Sequence, residues 1–124
     1  MDPKIVIEDL IGEYFTEELC HITELLNAED DAALSIARAR VEPGVTTRWH
    51  HLQESTERYV ILSGSGEVEV GELAAQVVRA GDVVLIPPCC RQRIRNTGDE
   101  DLIFLALCTP RFVPEDYVDL ETPD

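Results

Sequence analysis

Residues 46–66 read TTRWHHLQESTERYVILSGSG, with two adjacent histidines, His50 and His51, ahead of a glutamate, Glu57. Imidazole and carboxylate groups in one stretch are donors for divalent metals and also the groups of general acid–base catalysis. Further along, PPCCRQRIRN at 87–96 adds the thiols of Cys89 and Cys90 and the amide of Gln92. A thiol binds metal only as the thiolate, and an amide oxygen is a weak, neutral ligand. The residues therefore offer a mixed nitrogen-and-oxygen metal site, or a hydrogen-bonded polar network that needs no metal.

The spacing is specific. From Gly44 the chain places His50, Leu52, Glu57 and Gly64 in the pattern G-x5-H-x-L-x4-E-x6-G. This resembles the first motif of the cupin superfamily at every fixed position except the second histidine, where Leu52 stands. From Gly81 the chain runs through Pro87, Cys89, Gln92 and Asn96. That is similar to the second cupin motif, with Cys89 for a glycine and Gln92 for a histidine. The two matches cover about residues 44–96.

The resemblance implies an all-β fold, a double-stranded antiparallel β-barrel of the cupin or jelly-roll type. In that family the first-motif His, His and Glu and the second-motif His point inward to hold a divalent metal. Carried over, the metal ligands would be His50, Glu57 and Gln92, with manganese, iron, zinc or nickel as the cofactor. Glu57 would be a ligand or general base, and Tyr59 joins it as a catalytic candidate. Cys90, as a thiolate, would shift the preference toward zinc or iron. The alternative stays open: His50, Glu57 and Gln92 bonded to one another in a pocket that Leu52 has turned apolar.

Strand parity sorts these residues. Successive side chains point to opposite faces, so if His50 faces inward with Leu52, His51 faces away. The same count from Glu57 brings Tyr59 and Ile61 inside, and from Gln92 brings Cys90 and Ile94 inside, leaving Arg91, Arg93 and Arg95 outside. Further candidates to line the ligand pocket are Arg38 and Arg40 on LSIARARV, which would greet an anion if that face lines the barrel. Facing solvent, they would pair with the acids instead. Trp49 could rim the pocket or simply pack. Cys89 occupies a turn position where glycine commonly supplies φ > 0, so it is strained by about 1–2 kcal/mol or the turn is of another type.

Short runs rich in β-branched and aromatic residues, among them RYVILSG, EVEVG, DVVLIP and DLIFLALC, lie between turn signals such as EPG, SGSG, AGD and NTGDED. That is all-β punctuation. The chain of 124 residues divides into an acidic N-terminal segment (1–31) packing on the barrel, the barrel (32–108) and a C-terminal arm (109–124). VIEDLIGEYF hints at helix, so the barrel is expected to carry a short N-terminal helical or extended segment, whereas CHITELLN reads as strand. Val60, Leu62 and parts of DVVLIP and DLIFLALC leave a second apolar face that needs a cover, from the termini or from a second copy in a homodimer.

The net charge is −15, and nine of the ten basic residues are Arg. Such acidity opposes a nucleic-acid backbone or an anionic membrane as partner. The start, MDPKIVIEDL, lacks a signal-peptide n-region, and no run is long and apolar enough to span a bilayer, so the cytoplasm is the expected location. The thiols are read as reduced, with Cys20 and Cys108 in the core. Two functions remain in view: a metal-dependent cupin enzyme (an isomerase, cyclase or dioxygenase) acting on a small organic molecule, or a metal-free cupin that binds a small ligand without catalysis.

Overall fold

The computed structural model describes residues 1–121. Among the described residues, eleven strands form two antiparallel sheets that face each other as a jelly roll. The larger sheet has the order β1 (Tyr14–Phe15), β2 (His21–Leu26), β3 (Ser35–Val41), β10 (Leu102–Thr109), β5 (Thr56–Ser63) and β8 (Val83–Ile86). The smaller one runs β11 (Tyr117–Asp119), β4 (His50–Leu52), β9 (Gln92–Asn96), β6 (Ser65–Val70) and β7 (Gln76–Arg79).

Alternation dictates the faces. On β6, Gly66, Val68 and Val70 are buried, while Glu67 and Glu69 lie opposite Arg95 and Arg93 of β9. Arg93 donates to Glu69 at 2.8 Å on the outer face. Ile61, Ile86, Ile94, Leu102 and Val41 fill the space between the sheets, each at most 1% exposed. Asn96 closes one end: its amide donates to the Val41 and Glu100 carbonyls at 2.8 Å, and its oxygen accepts from the Gly98 N–H at 2.9 Å. Gly64 has φ 84°, and a Cβ there would sit 2.7 Å from the Asp101 carbonyl oxygen, so only glycine fits this turn.

The N-terminal segment takes the extended alternative. A single 3-10 turn, Leu10–Gly12, is all the helix in VIEDLIGEYF, and Tyr14–Phe15 pairs with β2 instead. The β-branched Ile and Val residues and the flexible Gly12 weaken a helix, and the open edge of β2 offers backbone partners in its place. Residues within 1–31 thus supply two strands of the larger sheet. The C-terminal arm likewise contributes a strand, β11, paired with β4; its last three residues lie outside the described residues. All four cysteines are free, with Cys20 and Cys108 buried. Among the described residues no helix is long and apolar enough to cross a membrane.

Candidate functional site

The site is built across the gap between the two sheets. Gln92 on β9 is fully buried, and its Nε2 donates to Oε1 of Glu57 on β5 at 2.9 Å. Tyr59, two residues along β5 on the same face, donates its hydroxyl to Gln92 Oε1. A planar amide can do both at once, so Gln92 relays Tyr59 to Glu57 and fixes the carboxylate's orientation. Tyr59 is itself locked by packing against Phe104, ring centroids 4.3 Å apart.

His50 stands opposite Gln92 on β4 and is 3% exposed. Its Nδ1 lies 2.7 Å from the Arg48 carbonyl, which can only accept, so Nδ1 carries a proton. Nε2 faces Oε2 of Glu18 at 3.4 Å. The ring also stacks on Tyr117, centroids 5.1 Å apart. His51, the other residue of the pair, points to the opposite side of β4 and is half-buried.

Glu18 arrives on the tip of the β1–β2 hairpin. Thr16 closes the tip with its N–H and hydroxyl on the Cys20 carbonyl, both at 2.9 Å, and Leu19 takes φ 75°. A left-handed leucine costs about 1–2 kcal/mol, which the surrounding contacts must hold. The Arg48 N–H, donating to the Glu18 carbonyl at 3.1 Å, pins the tip against the start of β4.

Below the hairpin lies a cavity of about 270 Å³. Glu17, Glu18, Glu24 and Glu57 contribute its carboxylates; Tyr14, Phe112 and Tyr117 contribute rings; Ser35, Ala37, Ala106 and Cys108 form its floor. No Lys or Arg among the described residues lines it. Burial raises the Glu57 carboxyl to about 7; His50 opposes this, Glu18 adds to it, and hydrogen bonds from Gln92 and Cys108 oppose it. Burial, with the Glu57 charge, pushes the Tyr59 hydroxyl and the Cys108 thiol upward, so both stay protonated donors beside Glu57. Tyr14 is raised to about 12 by burial and by Glu24, to which it donates at 3.2 Å.

Of the sequence candidates, only Glu57 lines this cavity, with His50, Gln92 and Tyr59 immediately around it. Arg38 and Arg40 do not line it: both lie on the outer face of β3, where Arg40 forms a two-pronged contact with Glu13 at 2.7 and 3.0 Å and Arg38 reaches Glu13 at 3.5 Å. Burying two guanidiniums inside would have required acids there in matching geometry. Trp49 is outside as well, with the Arg91 and Arg93 guanidiniums 4.6 and 4.2 Å from its ring centroid. Leu52 is buried and pairs with Tyr117 across β4–β11, but does not reach the cavity. Cys90 is half-buried against Gly71, where its sulfur leaves only 3.1 Å for a Cβ. Cys89 takes φ 60°, so the strained alternative holds.

Sequence reasoning missed Glu18, Glu24, Tyr14, Cys108 and Tyr117. Tyr14 and Glu18 sit in the acidic stretch that hinted at helix, and Glu24 sits in CHITELLN, which read as strand but with no inward face assigned. The parity of β10 opposite β5 could have found Cys108, since Cys108 pairs with Glu57.

The family metal does not fit this donor set. Among the described residues no three His, Cys, Asp or Glu side chains converge closely enough to hold an ion. Gln92's one ligating atom already accepts from Tyr59, and the other ring nitrogen of His50 faces the Glu18 carboxylate at 3.4 Å. Leu52 supplies nothing.

The family model for the cupin domain matches residues 37–108, and the chain belongs to that family. It is 34% identical over 115 residues to an uncharacterized protein of Methanocaldococcus jannaschii, a match covering 91% of each chain. It is 38% identical over 63 residues to a glucose-6-phosphate isomerase of Pyrococcus abyssi, over 48% of this chain; it spans only 33% of that longer relative. Among solved structures, a predicted oxalate decarboxylase of Thermotoga maritima superposes with a TM-score of 0.77 at 26% identity, covering 86% of this chain and 99% of the other.

Proposed function

We propose that this cupin takes a small organic molecule without net negative charge into the cavity beneath the β1–β2 hairpin and moves a proton on it with Glu57, using no metal. The observation that carries this reading is the relay from Tyr59 through Gln92 to Glu57, which aims one half-buried carboxyl at a cavity. Gln92 engages Oε1, leaving Oε2 to carry the transferable proton. As carboxylate, Glu57 accepts a proton from an acidic C–H or O–H of the ligand; as carboxylic acid, it returns one to a neighbouring atom. A carboxyl that titrates near 7 suits both halves of such a cycle at neutral pH.

The substrates of the named relatives do not carry over readily. Oxalate and a sugar phosphate are dianions, and each would meet four carboxylates with no basic residue lining the cavity. The test is a thermal-shift screen of chelator-treated protein against metabolites sorted by charge. Proton NMR in D2O then follows exchange of ligand C–H positions. Stabilising ligands should be uncharged or cationic and indifferent to chelator, and exchange should vanish in Glu57→Gln. Ligands confined to dianions, or exchange that needs added manganese or iron, would overturn the proposal.

A further inference from the structure

We infer that residues 4–11 of one copy lie across the outer face of β5 and β8 of a second copy, so that two chains exchange these segments about a two-fold axis running along β10.

The segment is an apolar ridge without a cover. No strand or helix forms before Leu10, and Ile5, Ile7 and Ile11 are 88%, 78% and 95% exposed, with Val6 and Leu10 about half exposed. Ion pairs nevertheless hold the segment to the outer side of β3. Glu8 reaches Arg38 at 3.8 Å, Glu13 reaches Arg38 and Arg40, and Lys4 reaches Asp30 in the β2–β3 connection at 3.8 Å. The chain therefore runs alongside β3 with its isoleucines turned to solvent. A contiguous apolar patch of this kind marks an interaction surface, as scattered single residues do not.

The same sheet offers the surface that fits it. In the order β2-β3-β10-β5-β8 the central strand is β10, whose outward Ile103, Leu105 and Leu107 are half-buried. A two-fold rotation about an axis along β10 sets β3 and β2 of one copy against β5 and β8 of the other and preserves heights along the strands. Arg38 and Val60 both pair with Leu105, and Val60 pairs with Val83. The stretch beside Arg38 thus comes level with Val83 and Leu85 of the second copy. Those two side chains and the neighbouring Leu62 are exposed.

Area and charge agree with this pairing. The eight exposed aliphatics, at about 150 Å² for a fully exposed large side chain, present on the order of 800 Å² per copy, the share each partner gives to an interface of standard size. Arg58, outward on β5 and level with Leu85, donates to the Thr56 carbonyl and the Thr109 hydroxyl but meets no carboxylate among the described residues. Glu8 is half exposed and loosely held by Arg38, which leaves it within reach of Arg58 of the second copy.

The test is sedimentation velocity of the full chain and of two variants, Ile7→Lys and Leu85→Glu, alone and mixed. The wild type should sediment as a dimer at micromolar concentration. Each variant should raise the dissociation constant roughly a hundredfold, because a two-fold interface loses a tenfold contact twice. Mixed in equal amounts, the variants should dimerise again, since the heterodimer keeps one native contact and sets the introduced lysine against the introduced glutamate in the other. Ile5→Lys with Val83→Glu repeats the test at a second pair, and circular dichroism checks that every variant folds. Neither Ile7 nor Leu85 lines the cavity beneath the hairpin, so the outcome is independent of the proposed function. A wild type that stays monomeric at high micromolar concentration would overturn the inference. A dimer indifferent to Ile7→Lys would overturn the segment as the cover of β8. Weakened variants that fail to recover on mixing would overturn the pairing of the segment with β8.

Discussion

Replacing Glu57 with glutamine should change how stability depends on pH. The folded chain raises this carboxyl from 4.5 to about 7, mainly by burial. A folded-state value above the unfolded one means the native chain holds a proton that the unfolded chain has released. Stability from this group is therefore fully present below about pH 4.5 and is lost as pH rises to about 7, after which it is level. At 1.36 kcal/mol per pH unit the loss amounts to about 3 kcal/mol. Glutamine keeps the shape and the bond from Gln92 but has no proton to lose. The two proteins should therefore be similar near pH 4.5, and Glu57→Gln should be more stable by up to about 3 kcal/mol above pH 8. In urea that separates the midpoints by about 1–2 M. The chain's net charge of −15 gives both proteins a common pH dependence, which cancels in the difference. Parallel profiles, with no gap opening between pH 5 and 8, would show that Glu57 is solvated and that the relay does not hold it buried.

The other predictions concern metal, strain and assembly. Chelator-treated protein should retain no stoichiometric cobalt(II), read from its visible absorption, whereas Leu52→His with Gln92→His should bind it by restoring the two missing imidazoles. Cobalt held by the unaltered chain would contradict the misfit argued above. Cys89→Gly relieves a residue at φ 60°; the gain, about 1–2 kcal/mol less the flexibility of glycine, should leave roughly 0.5–1 kcal/mol and raise Tm by a few degrees. On β8, Val83 and Leu85 are each 61% exposed, beside Leu62 at 46% on β5. A homodimer closing over this face should give twice the chain mass in light scattering, and Leu85→Glu should return the monomer; a monomeric wild type would refute it.

What was legible in the sequence follows from which forces are local. The spacing of Gly44, His50, Glu57 and Gly64 and of Gly81, Pro87, Gln92 and Asn96 places turns and strands, because glycine φ and two-residue alternation act within a few residues. Alternation also separates His50 from His51, and the buried–exposed–buried pattern of β4 reflects it. Glu18 was not legible, because its place depends on a hairpin tip docking onto a strand about thirty residues away, through Arg48 and His50. Nor was the direction of Arg38 and Arg40, which turned on whether Glu13 could reach the outer face of β3.

The departures from the family pattern at Leu52 and Gln92 make sense together rather than singly. A carboxylate buried in an apolar barrel needs either a cation or hydrogen-bond donors. With two imidazole positions gone, a metal has too few ligands to supply the charge. Gln92 supplies a donor instead, and its amide oxygen would be an unsatisfied buried acceptor were Tyr59 not there to fill it. The residue that removes the fourth imidazole thus also holds Glu57 in place. The remaining charge is absorbed by protonation, which is why the carboxyl titrates near 7 instead of near 4.5. On this argument Tyr59→Phe, which leaves the Gln92 oxygen without its donor, should destabilise the fold by about 1–3 kcal/mol and free the amide to flip away from Glu57. Amide exchange at Gln92 measured by NMR should rise in that variant; unchanged exchange would mean the amide is held by packing alone.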